Sequence, residues 1–317
     1  MPTSIASVWG AIRRSPIVRG ARIAVTIGLV GFLGWKAGIL ELTSRPIDLR
    51  WVVVAFALTV PSVALRAYNH ALLLNRPTRV LSFGQALGLT VVGVGIGLFV
   101  PSGAADFAKA YWGVQRHGSA EAMVVSVALD KLTSLSAVAA MGAVGGFWAG
   151  RLVIGWVAVA LLILTLLPFV APRIVPWRFL FRFLAPGQDV DPHVVAQVAR
   201  PPLGLLLWVY VVSITGWLLT YAVLGACLRA FGAEVSMADV LAFGPVSTIA
   251  RLLPVSFAGI GLGEATLATL FVSVGVPAGV AARSVLLSMI ALVLVPGAVG
   301  AVMLASGRRH RSSPEKH

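Results

Sequence analysis

The chain has 317 residues, of which 58% are hydrophobic and only 11% are charged. Because a water-soluble domain carries roughly 25% charged residues, this composition excludes an ordinary soluble protein and indicates a surface that mostly faces lipid. The net charge of +14 is spread in short clusters beside apolar runs, so it indicates contact with lipid headgroups and not nucleic-acid binding.

Six apolar segments are long enough to cross the hydrocarbon core of a bilayer as helices, which takes about 20 residues. They cover residues 23–40, 51–65 extended to about 75, 122–150, 152–171, 202–228 and 278–306. The first is too long for the apolar part of a signal peptide and no cleavage site follows it, so we expect it to remain. Alternation of period two is absent, which favours an all-α polytopic membrane protein. We expect residues 1–305 to form one membrane domain and residues 306–317 a disordered, basic tail.

Arginine clusters predict the orientation of these helices, because positively charged loops stay in the cytoplasm. Arginines gather before the first helix, between residues 66 and 79, in the loop 172–201 and in the C-terminal tail. We therefore place both termini in the cytoplasm and the loop 41–50 outside. The crossings between cytoplasmic loops must be even in number, so residues 82–118 and 236–275 must each return to the side from which they enter.

Each of these two returning hairpins is an apolar run with a break in the middle. The breaks are marked by Pro101 and Gly103 in the first hairpin and by Pro254, Gly259, Gly261 and Gly263 in the second. An acid follows each break, Asp106 or Glu264, and a full-length helix lies on either side of each hairpin. Residues 51–148 and 205–305 thus form two repeat units, which the charge pattern predicts to be inverted, as in many transporters. Two kinked helix pairs that merely pack are the alternative, since Pro and Gly are common in membrane helices.

The residues around the two breaks resemble a known family. The segments PSGAADFAKAY, from Pro101 to Tyr111, and LPVSFAGIGLGEA, from Leu253 to Ala265, are together similar to the flippase-like membrane region of the lysylphosphatidylglycerol synthase family. The resemblance covers nearly the whole chain, and it implies lipid translocation in the cytoplasmic membrane of a bacterium. We expect no aminoacyl-transferase domain, so the resemblance implies lipid movement without lipid modification.

This chain departs from the family pattern at three positions. Ala105 stands where the family usually has glycine, and Lys109 stands where arginine is usual. In the next helix, Asp130 and Lys131 hold the place of an acid–arginine pair. Lysine keeps the charge but lacks the planar, two-pronged grip of arginine on phosphate, which bears on the identity of the lipid.

Charged side chains at membrane depth are costly, so they are the first candidates for a functional site. The candidate headgroup-binding residues are Lys109, Arg251, Asp106, Glu264, Trp112 and Arg116, with Asp130 and Lys131 as supporting intramembrane charges. We expect the first four to converge on a cavity between the hairpins.

Each candidate also has a structural alternative. The face of Lys109 suits an interfacial anchor, Glu264 suits a helix cap, and Asp130 with Lys131 suits an ion pair between helices. For Arg66 and His70, near the inner end of their helix, we expect the side chains to snorkel to the interface.

These residues predict a transporter that shields the phosphate of an anionic phospholipid or polyprenyl-linked lipid from hydrocarbon. A non-transporting scaffold for an envelope or lipid-modifying enzyme and a membrane-embedded transferase are the alternatives. We expect no enzyme, because the loop 172–201 offers only Asp189, Asp191 and His193, beside a Pro-Gly turn. The five histidines lack metal-ligand spacing and the single cysteine, Cys227, lies in an apolar run, so we expect no metal or cofactor. The chain has no ATP-binding loop, so we expect transport to be passive or ion-coupled.

Overall fold

The computed structural model describes residues 47–75, 82–97, 120–171, 201–253 and 261–309. The helices are α1 Leu49–Leu74, α2 Phe83–Gly97, α3 Ala120–Trp148, α4 Leu152–Val170, α5 Leu203–Ala230, α6 Met237–Ala250, α7 Leu262–Val272, α8 Ala278–Met289 and α9 Val295–Arg309, with a π-helical turn Ile290–Leu294 between α8 and α9. No strand occurs within the described ranges, which confirms the all-α prediction. α9 continues to Arg309, past residue 306, where the tail was predicted to begin.

Five helical stretches in the described part of the chain are long and apolar enough to cross a membrane. They are α1, residues 125–148 of α3, α4, α5 and the continuous stretch 278–303 that joins α8 to α9. Each corresponds to one predicted crossing, so the prediction of a multi-pass helical membrane protein is confirmed. The remaining predicted crossing, 23–40, lies outside the described residues.

α6 and α7 are too short to cross. With 14 and 11 residues, they extend about 21 Å and about 16 Å, less than the ~30 Å hydrocarbon core. The chain returns after α7 to the place where it left α5, because Arg283 of α8 lies 5.5 Å from the ring of Phe231, just before α6. α6 and α7 therefore form a returning hairpin. Of the predicted first hairpin, residues 82–118, the structure describes the helix α2.

α1 and α5 pack against each other along their length. Near one end, the backbone N–H of Asp48 donates to the carbonyl of Ala230 at 3.0 Å. In the middle, Ser62 Oγ donates to the carbonyl of Gly216 at 3.2 Å. The contact of Asp48 is with residue 230 of α5, and that of Ser62, further along α1, is with the earlier residue 216. The two helices therefore run antiparallel.

The short helices α2 and α6 begin with the same capping arrangement. The backbone N–H of Gln85 donates to Ser82 Oγ at the start of α2, and that of Asp239 donates to Ser236 Oγ at the start of α6. Serine at this position satisfies an N–H that the helix itself leaves without a partner. Ser82 and Ser236 are 154 residues apart, the spacing that also separates Ser62 from Gly216.

Segments that the arginine pattern places outside lie together at one end of the bundle. Arg151, between α3 and α4, pairs with Asp239 at the start of α6, with Nε 3.0 Å from Oδ1. At the same end, the guanidinium of Arg229 lies 4.8 Å from the ring centre of Trp51. These contacts agree with the predicted alternation of the loops.

The helices of the two hairpins pack on long helices of the opposite half of the chain. A Cβ added at Gly145 of α3 would meet the backbone of Leu241 and Ala242 in α6. A Cβ added at Gly300 of α9 would meet the carbonyl of Val91 in α2. Glycine allows this backbone-to-backbone approach, which is typical of packing between membrane helices.

Candidate functional site

A cavity of about 310 Å³ lies inside the bundle, between α1, α2, α3, α5 and α6. Its polar lining includes Arg66, Asn69, Thr90, Asp130, Lys131 and Thr248. Arg66 is eight residues, or about 12 Å, from the end of α1 at Leu74, so the cavity lies within the depth of the membrane. Charged and polar groups at this depth are energetically costly unless they pair with one another or bind a ligand.

The ends of the short helices α2 and α6 both reach this cavity. Gly97, the last residue of α2, borders it, and so does Leu252, just after the end of α6. α2 opens the predicted first hairpin, and α6 opens the second hairpin. The cavity therefore lies where the described end of α2 approaches the end of α6.

Arg66 is held inside the bundle by two groups of α5. Its Nη2 donates to Thr220 Oγ1 at 2.9 Å, and its guanidinium lies 4.6 Å from the ring centre of Trp217. The prediction that Arg66 snorkels to the interface is therefore wrong. The indole face and the hydroxyl supply an attractive partner at depth, so the side chain does not need water.

Asp130 finds its partners on α1. Asn69 Nδ2 donates to Asp130 Oδ1 at 3.0 Å, and His70 Nδ1 lies 3.9 Å from Asp130 Oδ2. His70 is completely buried, so its predicted snorkelling is wrong as well. The structural alternative was an ion pair between helices, and the partners of Asp130 on the neighbouring helix are an amide and a histidine. Lys131, the next residue, lines the cavity beside it.

Arg251 and Glu264 meet at the tip of the second hairpin. Arg251 Nη2 lies 3.1 Å from Glu264 Oε1, and only 1% of Glu264 is exposed. Glu264 Oε2 also accepts the backbone N–H of Gly261 at 2.7 Å. Glu264 thus caps α7 with one carboxylate oxygen and pairs with the cation through the other. The cap is the structural alternative given for Glu264 in the sequence analysis, and its role in headgroup binding stays a prediction.

Glycines shape this hairpin tip. Gly261 has a φ of 103°, in the left-handed region where a side chain would be strained. At Gly263 an added Cβ would collide with the Arg251 side chain, so glycine leaves room for the ion pair. Ser247 Oγ donates to the carbonyl of Gly263 at 2.9 Å and ties α6 to the start of α7.

Several predicted site residues lie outside the described residues. They are Lys109, Asp106, Trp112 and Arg116 of the candidate site, and Pro101, Gly103, Pro254 and Gly259 of the two breaks. Their convergence with Arg251 and Glu264 stays a prediction. Within the described ranges, no group of three His, Cys, Asp or Glu side chains is placed to hold a metal ion.

The sequence analysis did not select Asn69, Thr90 or Trp217 as site residues. The sequence did contain a pattern that indicates Asn69. Ser62, Arg66 and Asn69 follow one another at spacings of four and three in an apolar membrane helix. Residues at these spacings share one helical face, and a polar face on a membrane helix points into the bundle.

The fold and the site together define a polytopic α-helical membrane protein with a charged cavity at membrane depth. Residues 20–300 match the family described as the lysylphosphatidylglycerol synthase TM region, and the protein belongs to this family. Comparison with curated proteins gave no match. Family membership supports a lipid-related role in the membrane.

Proposed function

We propose that the protein moves an anionic phospholipid or polyprenyl-linked lipid across the cytoplasmic membrane of a bacterium, with both chain termini in the cytoplasm. The headgroup passes through the polar cavity while the hydrocarbon chains stay in the bilayer. The cavity is the observation that carries this proposal. The family description, a TM region of lysylphosphatidylglycerol synthases, supports a role with lipids in the membrane, and we propose that this region moves lipid and does not modify it.

The charge balance at the cavity favours an anion. Among the described residues, the cations in or next to it are Arg66, Lys131 and Arg251, and the carboxylates are Asp130 and Glu264. One positive charge is thus in excess. A phosphate taken into hydrocarbon without a partner costs many kcal/mol, and an excess cation at this depth offsets that cost.

We also propose that residues 51–148 and 205–305 form an inverted repeat. The matching caps at Ser82 and Ser236 support it, with their spacing of 154 residues. At the same spacing, Ser62 and Gly216 contact each other where α1 and α5 cross. Equivalent antiparallel helices that touch at equivalent residues fit a two-fold axis perpendicular to both, which for membrane-spanning helices lies in the membrane plane.

In this mechanism the ion pair of Arg251 and Glu264 closes the cavity when no headgroup is bound. A phosphate entering the cavity offers Arg251 charge-assisted hydrogen bonds in place of those from Glu264. Glu264 keeps its hydrogen bond to Gly261, so the released carboxylate still caps α7. The exchange gives Arg251 a new anion but leaves the buried Glu264 carboxylate without its cation. The contacts of the phosphate with Arg66 and Lys131 must offset that cost of about 3 kcal/mol. Opening of the two hairpins in turn exposes the cavity to either side.

Lipid movement in liposomes tests the proposal. Purified protein is reconstituted with a fluorescent anionic phospholipid, and the fraction of label accessible from outside is followed with time. We expect wild type to move the lipid and both Arg251→Ala and Lys109→Ala to abolish the movement. Lys109→Arg should retain it, because arginine also binds phosphate.

Arg151→Ala is the matched control, because it removes one arginine from an ion pair at the end of the bundle, away from the cavity. It should leave lipid movement unchanged. Full activity in the Lys109→Ala, Arg251→Ala double variant would overturn the mechanism. Absence of any lipid movement by wild type, with the protein folded, would overturn transport and favour the scaffold.

A further inference from the structure

His70 and Asp130 form an ionisable pair that the proposed mechanism does not use. The His70 side chain is completely buried, and its Nδ1 lies 3.9 Å from Asp130 Oδ2. Asp130 lines the cavity, so a proton from cavity water reaches the pair there. Ionisable groups inside a bundle of membrane helices are costly, and chains of Asp, Glu and His carry protons in many transporters. The pair is therefore a candidate proton site.

The two carboxylate oxygens of Asp130 face different groups. Asn69 Nδ2 donates to Oδ1 at 3.0 Å and holds this oxygen in place, whereas Oδ2 faces His70. The distance of 3.9 Å is too long for a hydrogen bond, so the attraction across it depends on charge. It is strong when the imidazole carries a proton and weak when the imidazole is neutral.

The second half of the chain makes the equivalent contact without an ionisable pair. At the repeat spacing of 154 residues, the counterparts of His70 and Asp130 are Leu224 on α5 and Ser284 on α8, two helices that also pack together. Leu224 lies in the apolar core, and Ser284 Oγ donates to a carbonyl of its own helix. Packing of these helices thus does not require charge, which favours a function for the pair in the first half.

The groups around the pair include cations that face the same cavity. The other titratable residues on the described helices around the pair are Arg66 on α1, Lys131 on α3, Tyr221 on α5, Arg251 after α6 and Glu264 on α7. Residues 83–97, 152–170 and 284–303, which cover α2, α4 and most of the last crossing, contain no titratable side chain. Histidine is the residue type in this set that ordinarily changes charge between about pH 5 and 8.

Proton uptake changes the charge beside the cavity by one unit. The pair carries one negative charge while the imidazole is neutral, and none once a proton from cavity water has formed a new N–H bond on His70. Asp130 then balances His70 and no longer Arg66, so Arg66 and Lys131 attract an anion more strongly. The coupling is reciprocal, because an anion in the cavity strengthens proton binding by the same factor.

We propose that His70 and Asp130 bind one proton together with the lipid anion, and that the protein carries the two across the membrane together. The inference rests on the proposed function and names its driving force. A singly charged lipid anion and a proton have no net charge together, so the membrane potential neither drives nor opposes their movement. A pH gradient drives it, toward the alkaline side.

A pH gradient across liposomes tests this coupling. Wild type is reconstituted with a trace of fluorescent phosphatidylglycerol, the inside is made about one pH unit more alkaline than the outside, and the label in each leaflet is measured at steady state. For one proton per lipid, we expect up to about a tenfold excess of label in the inner leaflet, because the free energy of the gradient balances that of the lipid ratio. A protonophore should abolish the excess, and liposomes without protein give the background.

His70→Gln removes the titratable ring and keeps a polar side chain, so the label should distribute evenly between the leaflets under the same gradient. Asp239→Asn is the matched control, because it neutralises a carboxylate of an arginine pair at the end of the bundle, away from the cavity. It should keep the wild-type excess. An even distribution in a wild type that moves the lipid, or an excess kept by His70→Gln, would overturn the inference while lipid transport stands. If wild type moves no lipid, the proposed function itself fails.

Proton uptake on lipid binding provides a second test, which does not require transport. Short-chain phosphatidylglycerol is added to purified protein in detergent and weak buffer near about pH 6.5, and a pH-sensitive dye follows the protons. We expect wild type and Asp239→Asn to take up as much as one proton per lipid bound. His70→Gln should take up none, and neither should Asp130→Asn, which keeps an oxygen for Asn69 Nδ2. Binding by wild type without proton uptake, or equal uptake by all four proteins, would contradict the proton site.

Discussion

Arg251 Nη2 lies 3.1 Å from Glu264 Oε1 and joins the end of α6 to the first turn of α7. The two partners are not buried equally. The Glu264 side chain is 2% exposed, whereas that of Arg251 is 31% exposed. The carboxylate therefore depends on the guanidinium for its charge balance more than the guanidinium depends on the carboxylate.

The first prediction follows from this asymmetry. Arg251→Met leaves a buried carboxylate without its cation and should lower the free energy of unfolding by about 3 kcal/mol. Glu264→Gln keeps an oxygen for the Gly261 N–H and should cost less. The double variant should be more stable than the sum of the single effects by about 1–3 kcal/mol. Reversible unfolding in SDS, followed by tryptophan fluorescence, measures all four proteins.

The pair of Arg151 and Asp239 provides the comparison, because its side chains are 31% and 19% exposed and water screens them. For Arg151→Met and Asp239→Asn, we expect a coupling energy of about 1 kcal/mol or less. Equal coupling energies in the two cycles would show that the burial of Glu264 does not strengthen its pairing.

The second prediction concerns the close contact of α9 with α2. Gly300→Ala places a methyl group against the carbonyl of Val91 and should destabilise the protein by about 1–3 kcal/mol, because backbone cannot move aside as a side chain can. Gly225→Ala in α5 has no atom within 4 Å of the new methyl group. It should be neutral or stabilising by about 0.5–1 kcal/mol, because alanine favours the helix. The same SDS unfolding compares them, and equal losses of stability would contradict the predicted contact.

The third prediction isolates the contact between Arg66 and Trp217. Trp217→Phe keeps an aromatic face under the guanidinium, whereas Trp217→Leu removes it, so the leucine variant should be less stable by about 1 kcal/mol. In an Arg66→Met background this difference should disappear, because no cation remains. A difference of the same size in both backgrounds would assign the effect to packing alone.

The fourth prediction concerns orientation. Cys227 is the single cysteine and is completely buried, so Cys227→Ala provides a cysteine-free background with little change in surface. In this background, a membrane-impermeant maleimide should label the Ser44→Cys variant in intact cells. It should label the Ser312→Cys variant only after the cells are opened. Labelling of Ser312→Cys in intact cells would reverse the predicted orientation.

Hydropathy alone predicted the crossings described here to within a few residues. The sequence predicted helices at 51–75 and 202–228, and the structure has α1 at Leu49–Leu74 and α5 at Leu203–Ala230. Transfer of apolar side chains into lipid is a local property of the chain, so it can be summed along the sequence. The returning second hairpin followed from the arginine pattern, which requires an even number of crossings, together with the Pro and Gly residues at its break.

The partners of the buried charges could be predicted only in part. Arg251 and Glu264 were among four charged residues expected to converge, and the structure pairs these two. The direction of Arg66 was predicted wrongly because its partners, Thr220 and Trp217, come from a helix about 150 residues later. Helical periodicity shows which residues share a face, but it does not show which helix will cover that face.

The glycine contacts also determine how the molecule can be assembled. Gly145 in the first half of the chain fits against α6, and Gly300 in the second half fits against α2. Among the described residues, the nearest neighbours of these two glycines come from the other half of the chain, and α1 likewise packs on α5. Two fragments produced by a cut within residues 172–200 would each insert with an uncovered glycine face, and they would need to associate with each other to bury it.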